Sequence, residues 1–141
     1  MSTSTPAAPE QLPANIPRLE PDGSNWAIFL MRFRMAMQAT NRWDYFDGSK
    51  PRPVAKDTSA PTDEEKESAK CWEHDDLIAR YLLSQCLPDS TVLRLNQYTM
   101  AQTCWAHVSD EYTAKSVYAQ NDLEQAFFEM RCPSLPHQRA Q

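Results

Sequence analysis

The sequence predicts an all-α domain of roughly five helices, and three observations carry that expectation. Between Pro61 and Pro133 the only proline is Pro88, and no glycine follows Gly48. Long stretches are therefore free of the two residues that most often break a helix. Apolar residues recur three and four positions apart, whereas strict alternation is missing and β-branched residues are few, so little strand is expected. Two capping boxes, Thr62 with Glu65 and Thr99 with Gln102, mark helix starts.

The elements follow in order. Pro6, Pro9, Pro13, Pro17 and Pro21 lie among Ser, Thr, Ala and Gln, a composition that favours extended chain, so residues 1–18 are expected to be a disordered tail. A first helix should open with Ser24 as N-cap and bury Trp26, Phe29, Leu30, Phe33 and Met37, leaving Arg32, Arg34 and Gln38 off that stripe. From Asp47 to Pro61, Gly48, Pro51, Pro53 and Pro61 set a surface loop. The second helix starts at the Thr62 box with Asp63 and Glu64 in its first turn, where their charges suit the positive helix end. Its stripe is Ala69, Trp72, Ala79, Leu83 and Cys86, and Pro88 is expected to stop it at the preceding residue. A short helix should follow Asp89. The Thr99 box opens a fourth, bearing Trp105, Val108 and Tyr112 and running to about Thr113. A fifth should start near Ser116 and bury Ala119, Leu123, Phe127 and Met130, ending near Cys132 before Pro133. The helical domain then spans 19–132, with residues 133–141 a flexible tail.

A chain of 141 residues can bury a usable core as one domain. Two glycines are too few for the Gly-rich turns that cradle dinucleotides or nucleoside triphosphates. A net charge of −5, from 14 Lys+Arg against 19 Asp+Glu, opposes nucleic-acid binding, which needs a local positive excess. No apolar run approaches the ~20 residues of a membrane span, and the N-terminus lacks signal-peptide character. Cys71, Cys86, Cys104 and Cys132 include no C-x-x-C pair, which points to free thiols in a reducing compartment, cytoplasmic or nuclear.

Three constellations invite chemistry. Cys71-Trp72-Glu73-His74 and Cys104-Trp105-Ala106-His107 each place Cys and His three apart on a helix, and two such helices could assemble a Cys₂His₂ zinc site. Yet each pair lies opposite its own tryptophan, so buried tryptophans would turn thiols and imidazoles away from the core, and no metal is expected. Asp75, Asp76 and Glu73 continue a run of acids on the second helix and read as a solvated face rather than an acid/base pair. Arg32, Arg34 and Arg42 with Trp43 and Tyr45 could stack and hold bases, but Asp44 and Asp47 intervene, and packing of the aromatics is the stronger reading. Nothing specifies a nucleophile with a base and an orienting group, so no catalytic residue or cofactor is expected.

The apolar landmarks from Leu19 to Cys132 resemble the N-terminal region of copia-type retrotransposon Gag polyproteins. Gly23-Ser24-Asn25-Trp26-Ala27-Ile28-Phe29 is similar to that family's G-x-N-aromatic-x-x-W opening, with Phe29 in place of Trp. Trp43-Asp44-Tyr45-Phe46-Asp47-Gly48 resembles its W-x-aromatic-apolar-x-G run. Trp72, Asp76 and Ala79 match W-x-x-x-D-x-x-A, and Thr99, Ala101, Trp105, Val108 and Tyr112 match T-x-A-x-x-x-W-x-x-apolar-x-x-x-Y. Leu123, Phe127, Phe128 and Met130 close the series.

The resemblance implies an orthogonal helical bundle of capsid type that self-associates into virus-like particles, with no enzymatic step. It carries over structural residues: Trp26, Phe29, Trp43, Trp72, Trp105, Tyr112 and Leu123 as core. The implied partners are copies of itself or related Gag chains. RNA packaging does not fit the acidic balance, and the C-x₂-C-x₄-H-x₄-C zinc knuckle is missing from the sequence. Membranes and small-molecule substrates are not expected. The chain stops soon after Met130, where a capsid protein would continue, so a truncated or host-retained copy is expected. The alternative is a monomeric Gag-derived module that binds a host protein or an intact Gag.

Overall fold

The computed structural model describes residues 15–131. Residues 1–14 of the expected tail, Cys132 and residues 133–141 lie outside the described residues. The described chain is all-α, with five helices and no strand: α1 (Trp26–Ala39), α2 (Asp44–Asp47), α3 (Asp63–Ser84), α4 (Asp89–Leu95) and α5 (Ala101–Arg131). α5 contacts each of the other four helices, and α2 also meets α3.

The packed chain begins before residue 19. Ile16 is half-buried against the core and Leu19 is buried. The Arg18 guanidinium donates to the Leu87 carbonyl at 3.2 Å, and the Leu19 N–H donates to the Cys86 carbonyl at 2.8 Å. Those carbonyls are available because α3 stops at Ser84, short of the expected Leu87. Asn25, not Ser24, is the N-cap of α1, and its side chain makes no cap bond. Its amide instead clamps the entering strand of chain, accepting from the Glu20 N–H and donating to the Arg18 carbonyl, both at 2.9 Å.

α1 buries Trp26, Phe29, Phe33 and Met37, as its spacing predicts, and Leu30 is half-buried beside them. The Asp44–Asp47 turn, α2, was not foreseen. It ends on Gly48 at φ +85°, a left-handed C-cap, and it buries Tyr45 and Phe46. The Thr62 capping box of α3 is complete: the Glu65 N–H donates to Thr62 Oγ1 at 3.1 Å, and the Thr62 N–H donates to Glu65 Oε1 at 2.8 Å. Those bonds hold the Glu65 carboxyl below its ordinary range, the Thr62 backbone contact first among them.

The expected fourth and fifth helices are one continuous helix, since no glycine or proline separates them. The Thr99 box does not form at its start. Gln102 lies against Gly48 instead, and the Ala101 N–H is satisfied from α3, donating to Asp76 Oδ1 at 2.9 Å. Asp76 is therefore not part of a solvated acidic face: it is 1% exposed.

Trp105 and Phe33 stack at 5.5 Å between centroids with Phe46 edge-on to both, and Trp26 meets Trp105 at 5.7 Å and Tyr112 at 6.0 Å. Trp72 is buried and its indole N–H donates to the Lys50 carbonyl at 2.8 Å, pinning the loop. Trp43 is half-buried at the rim, edge-on to Trp105 at 5.2 Å. Leu123 is not core. It is 66% exposed, because α5 runs past the last helix that could cover it.

Candidate interaction surface

Two halves of α5 differ in kind. From Ala101 to Tyr112 its inward residues Ala101, Cys104, Trp105, Val108 and Tyr112 are buried. The body closes around Lys115, whose ammonium donates to the Pro21 carbonyl at 3.0 Å and lies 4.8 Å from the Tyr112 ring centroid. Gly23, at φ +78°, brings the chain so close that a Cβ there would stand 2.7 Å from Lys115 Cβ. Beyond this point α5 leaves the body. Every side chain from Val117 to Met130 is exposed except Ala119, which is half-buried.

The helix continues because no glycine or proline breaks it, so the backbone ladder persists after tertiary packing ends. Residues 116–131 extend about 24 Å at 1.5 Å per residue. Ala119, Leu123, Ala126 and Met130 are spaced by four, three and four, which keeps them in one seam along this segment. At ~100° per residue the seam prolongs the inward face of Tyr112. Asp122 and Glu129 border it on one side, and Phe127 on the other. Between Val117 and Met130 the acidic residues are Asp122, Glu124 and Glu129, with no Lys or Arg.

A second apolar stripe lies on the outer side of α1, where Ile28, Met31 and Met35 are 41%, 55% and 61% exposed. Arg32 and Arg34 border it on either side, both exposed, and Arg32 donates to the Asn15 carbonyl at 2.8 Å. Their i, i+3, i+7 spacing is visible in the sequence, but the inner, aromatic stripe is the longer and decides which face of α1 is buried.

The zinc constellation does not come together. Cys71, His74 and His107 are exposed, whereas Cys104 is buried, contrary to the expectation that both thiols face outward. α5 sinks Cys104 as well as Trp105 because α2 and α3 pack on adjoining sides of it. Burial pushes the Cys104 thiol up, and the Cys86 thiol is pushed up to about 12 by the same cause. His107 stacks on Tyr98 at 4.2 Å. Among the described residues no three His, Cys, Asp or Glu side chains converge as metal ligands. No described helix is long and apolar enough to cross a membrane.

The buried or half-buried polar groups are engaged in joining helices. Asp76 accepts from Ala101 N–H and from Arg80 Nε at 2.9 Å each. Thr91 and Tyr112 hydroxyls meet at 2.7 Å. Glu111 lies between Arg94 at 2.6 Å and Lys115 at 2.8 Å. Of the basic and aromatic grouping, Tyr45 is buried and donates to Asp75 Oδ2 at 3.3 Å. Burial first, with the Asp75 charge adding to it, raises the Tyr45 phenol. An apolar cleft of about 260 Å³ lies between α3 and α4, edged by Leu77, Tyr81 and Leu95.

Compared with known protein families, with curated proteins and with solved structures, the chain finds no match.

Proposed function

We propose that this chain is a non-enzymatic assembly domain of the copia-type Gag kind, acting by association with further copies of itself or with related Gag chains. The observation that supports this reading is the far half of α5. A seam of Ala119, Leu123, Ala126 and Met130 stands on a helix that has left its own core, with Leu123 and Met130 66% and 76% exposed. Exposed apolar surface of this kind marks interaction sites in single domains. A second helix laid along the seam would recover about 1.5–3 kcal/mol for each large side chain it buries. The four-three-four spacing is the one by which helices pack at a small crossing angle.

The polar clusters support the same reading. Asp76, through the Ala101 N–H, ties α3 to α5, and Glu111, through Arg94, ties α5 to α4. Weak contacts repeated by symmetry suffice to build a shell or ring.

Light-scattering mass across protein concentration and salt, with negative-stain imaging of large species, tests the reading. Growth from the 16.2 kDa monomer into regular oligomers is expected. A monomer under every condition would sink it and leave the alternative, a Gag-derived module that binds a host protein or an intact Gag.

A further inference from the structure

We infer that self-association is head-to-tail: the far seam of α5 in one copy docks on the outer stripe of α1 in the next. This rests on the proposal that the chain self-associates, and it names the two surfaces that meet.

The two faces are both apolar and are complementary in charge. Each presents exposed apolar side chains, Leu123 and Met130 with Phe127 beside them on α5 against Met31 and Met35 on α1, and all five are more than half exposed. The methionines are unbranched and adapt to the surface they meet. The borders carry opposite charge. Asp122 and Glu129 edge the α5 seam along one side, and Arg32 and Arg34 edge the α1 stripe. α1 contains no acidic residue, and residues 117–130 of α5 contain no basic one. Laying one stripe on the other brings an arginine border of α1 beside the carboxylate border of α5 and shields the apolar centre from water. A pairing of α5 with α5, by contrast, opposes acid to acid, and α1 with α1 opposes base to base.

The fold excludes the chain's own α5 as the occupant, so the seam that docks there comes from a second copy. α1 packs on its own α5 through Trp26, with Phe33 against Trp105. Its outer stripe therefore faces away from the α5 of the same chain. Because the two surfaces differ, the contact is heterologous, and repetition yields a ring if the rotation closes and an open filament if it does not.

Charge reversal separates the possibilities. Arg32→Glu with Arg34→Glu makes one variant, and Asp122→Lys with Glu129→Lys makes the other. All four positions are exposed, and circular dichroism should show both variants folded as the wild type. Sedimentation velocity on each alone is expected to show the association midpoint moved to at least about tenfold higher concentration, since like charges then line both faces. An equimolar mixture should regain wild-type association, because every contact in an alternating chain again pairs opposite charges. Wild-type association of the α1 variant alone would overturn the head-to-tail contact while leaving self-association intact. Failure of the mixture to recover would overturn it as well. A wild-type chain that stays monomeric would overturn both this inference and the proposed function.

Discussion

Asp76 stands four residues after Trp72 and three before Ala79, on the stripe that α3 turns inward. That position was the legible sign that it is not one more solvated acid, yet the neighbouring Glu73 and Asp75 concealed it. What no spacing could show is its partner, the Ala101 N–H twenty-five residues away. Asp76→Ala should leave that buried donor unmet at a cost of about 1–3 kcal/mol in chemical denaturation. Asp76→Asn, which keeps a carbonyl oxygen, should cost less than Asp76→Ala. Equal losses for the two would refute the capping role.

Trp105 and Leu123 make the paired test of core against surface. Both were expected to be buried, but Trp105 is 8% exposed and packs on four aromatic rings, whereas Leu123 is 66% exposed. Trp105→Ala should cost about 3–5 kcal/mol. Leu123→Ala, measured at a concentration low enough to keep the chain monomeric, should lie within about 0.5 kcal/mol of wild type. A large loss at Leu123 would place it in the core after all.

At the scale of elements, α1 and α3 were readable because each carries its own period and α3 its own start signal. α2 was missed because four residues are too few to show a period. The expected break near Thr113 had another origin: the inward stripe keeps its register from Tyr112 to Ala119, but Lys115 interrupts its apolar run. A polar step in a stripe does not end a helix, and Ser116 is no helix breaker.

The docking of the entering chain on α5 depends on Gly23. Gly23→Ala puts an L-residue into the left-handed region, which costs about 1–2 kcal/mol, and drives a Cβ into Lys115. Thermal unfolding should show the loss, and an unchanged midpoint would mean that the turn can rearrange.

The clasp between α4 and α5 should respond to acid. Burial pushes the Glu111 carboxyl up, but hydrogen bonds from Lys115 and Arg94 outweigh it and hold it below its ordinary 4.5. The unfolded chain therefore takes up this proton before the folded one does. Stability from Glu111 is complete above pH ~4.5 and is lost as pH falls through its lower folded value. Glu111→Gln should unfold less steeply over that acid range in a pH series of denaturation curves. An unchanged acid limb would remove the clasp from the account.

On the scale of the whole molecule, α5 is both the scaffold that every other helix packs on and the element that reaches out of the body. The all-α class was legible because breakers cluster before Pro61 and are sparse after it. The candidate surface was only half legible. The apolar residues from Ala119 to Met130 were found by their period and assigned to a core, since period alone does not say whether a partner comes from the same chain or another. The outer stripe of α1 needed the inner one to be placed first. Charge was hidden by the sum: a net −5 describes the chain as uniformly acidic, while the arginines border α1 and the carboxylates border the far half of α5.

The most direct test of assembly through α5 is sedimentation equilibrium on the wild type and on Leu123→Asp with Met130→Asp, side by side over a hundredfold range of concentration. Reversible growth of the wild type, with the variant folded yet held at 16.2 kDa, is the expected result. Equal growth of both proteins, or a monomer for both, would contradict the claim that the seam of α5 joins one copy to the next.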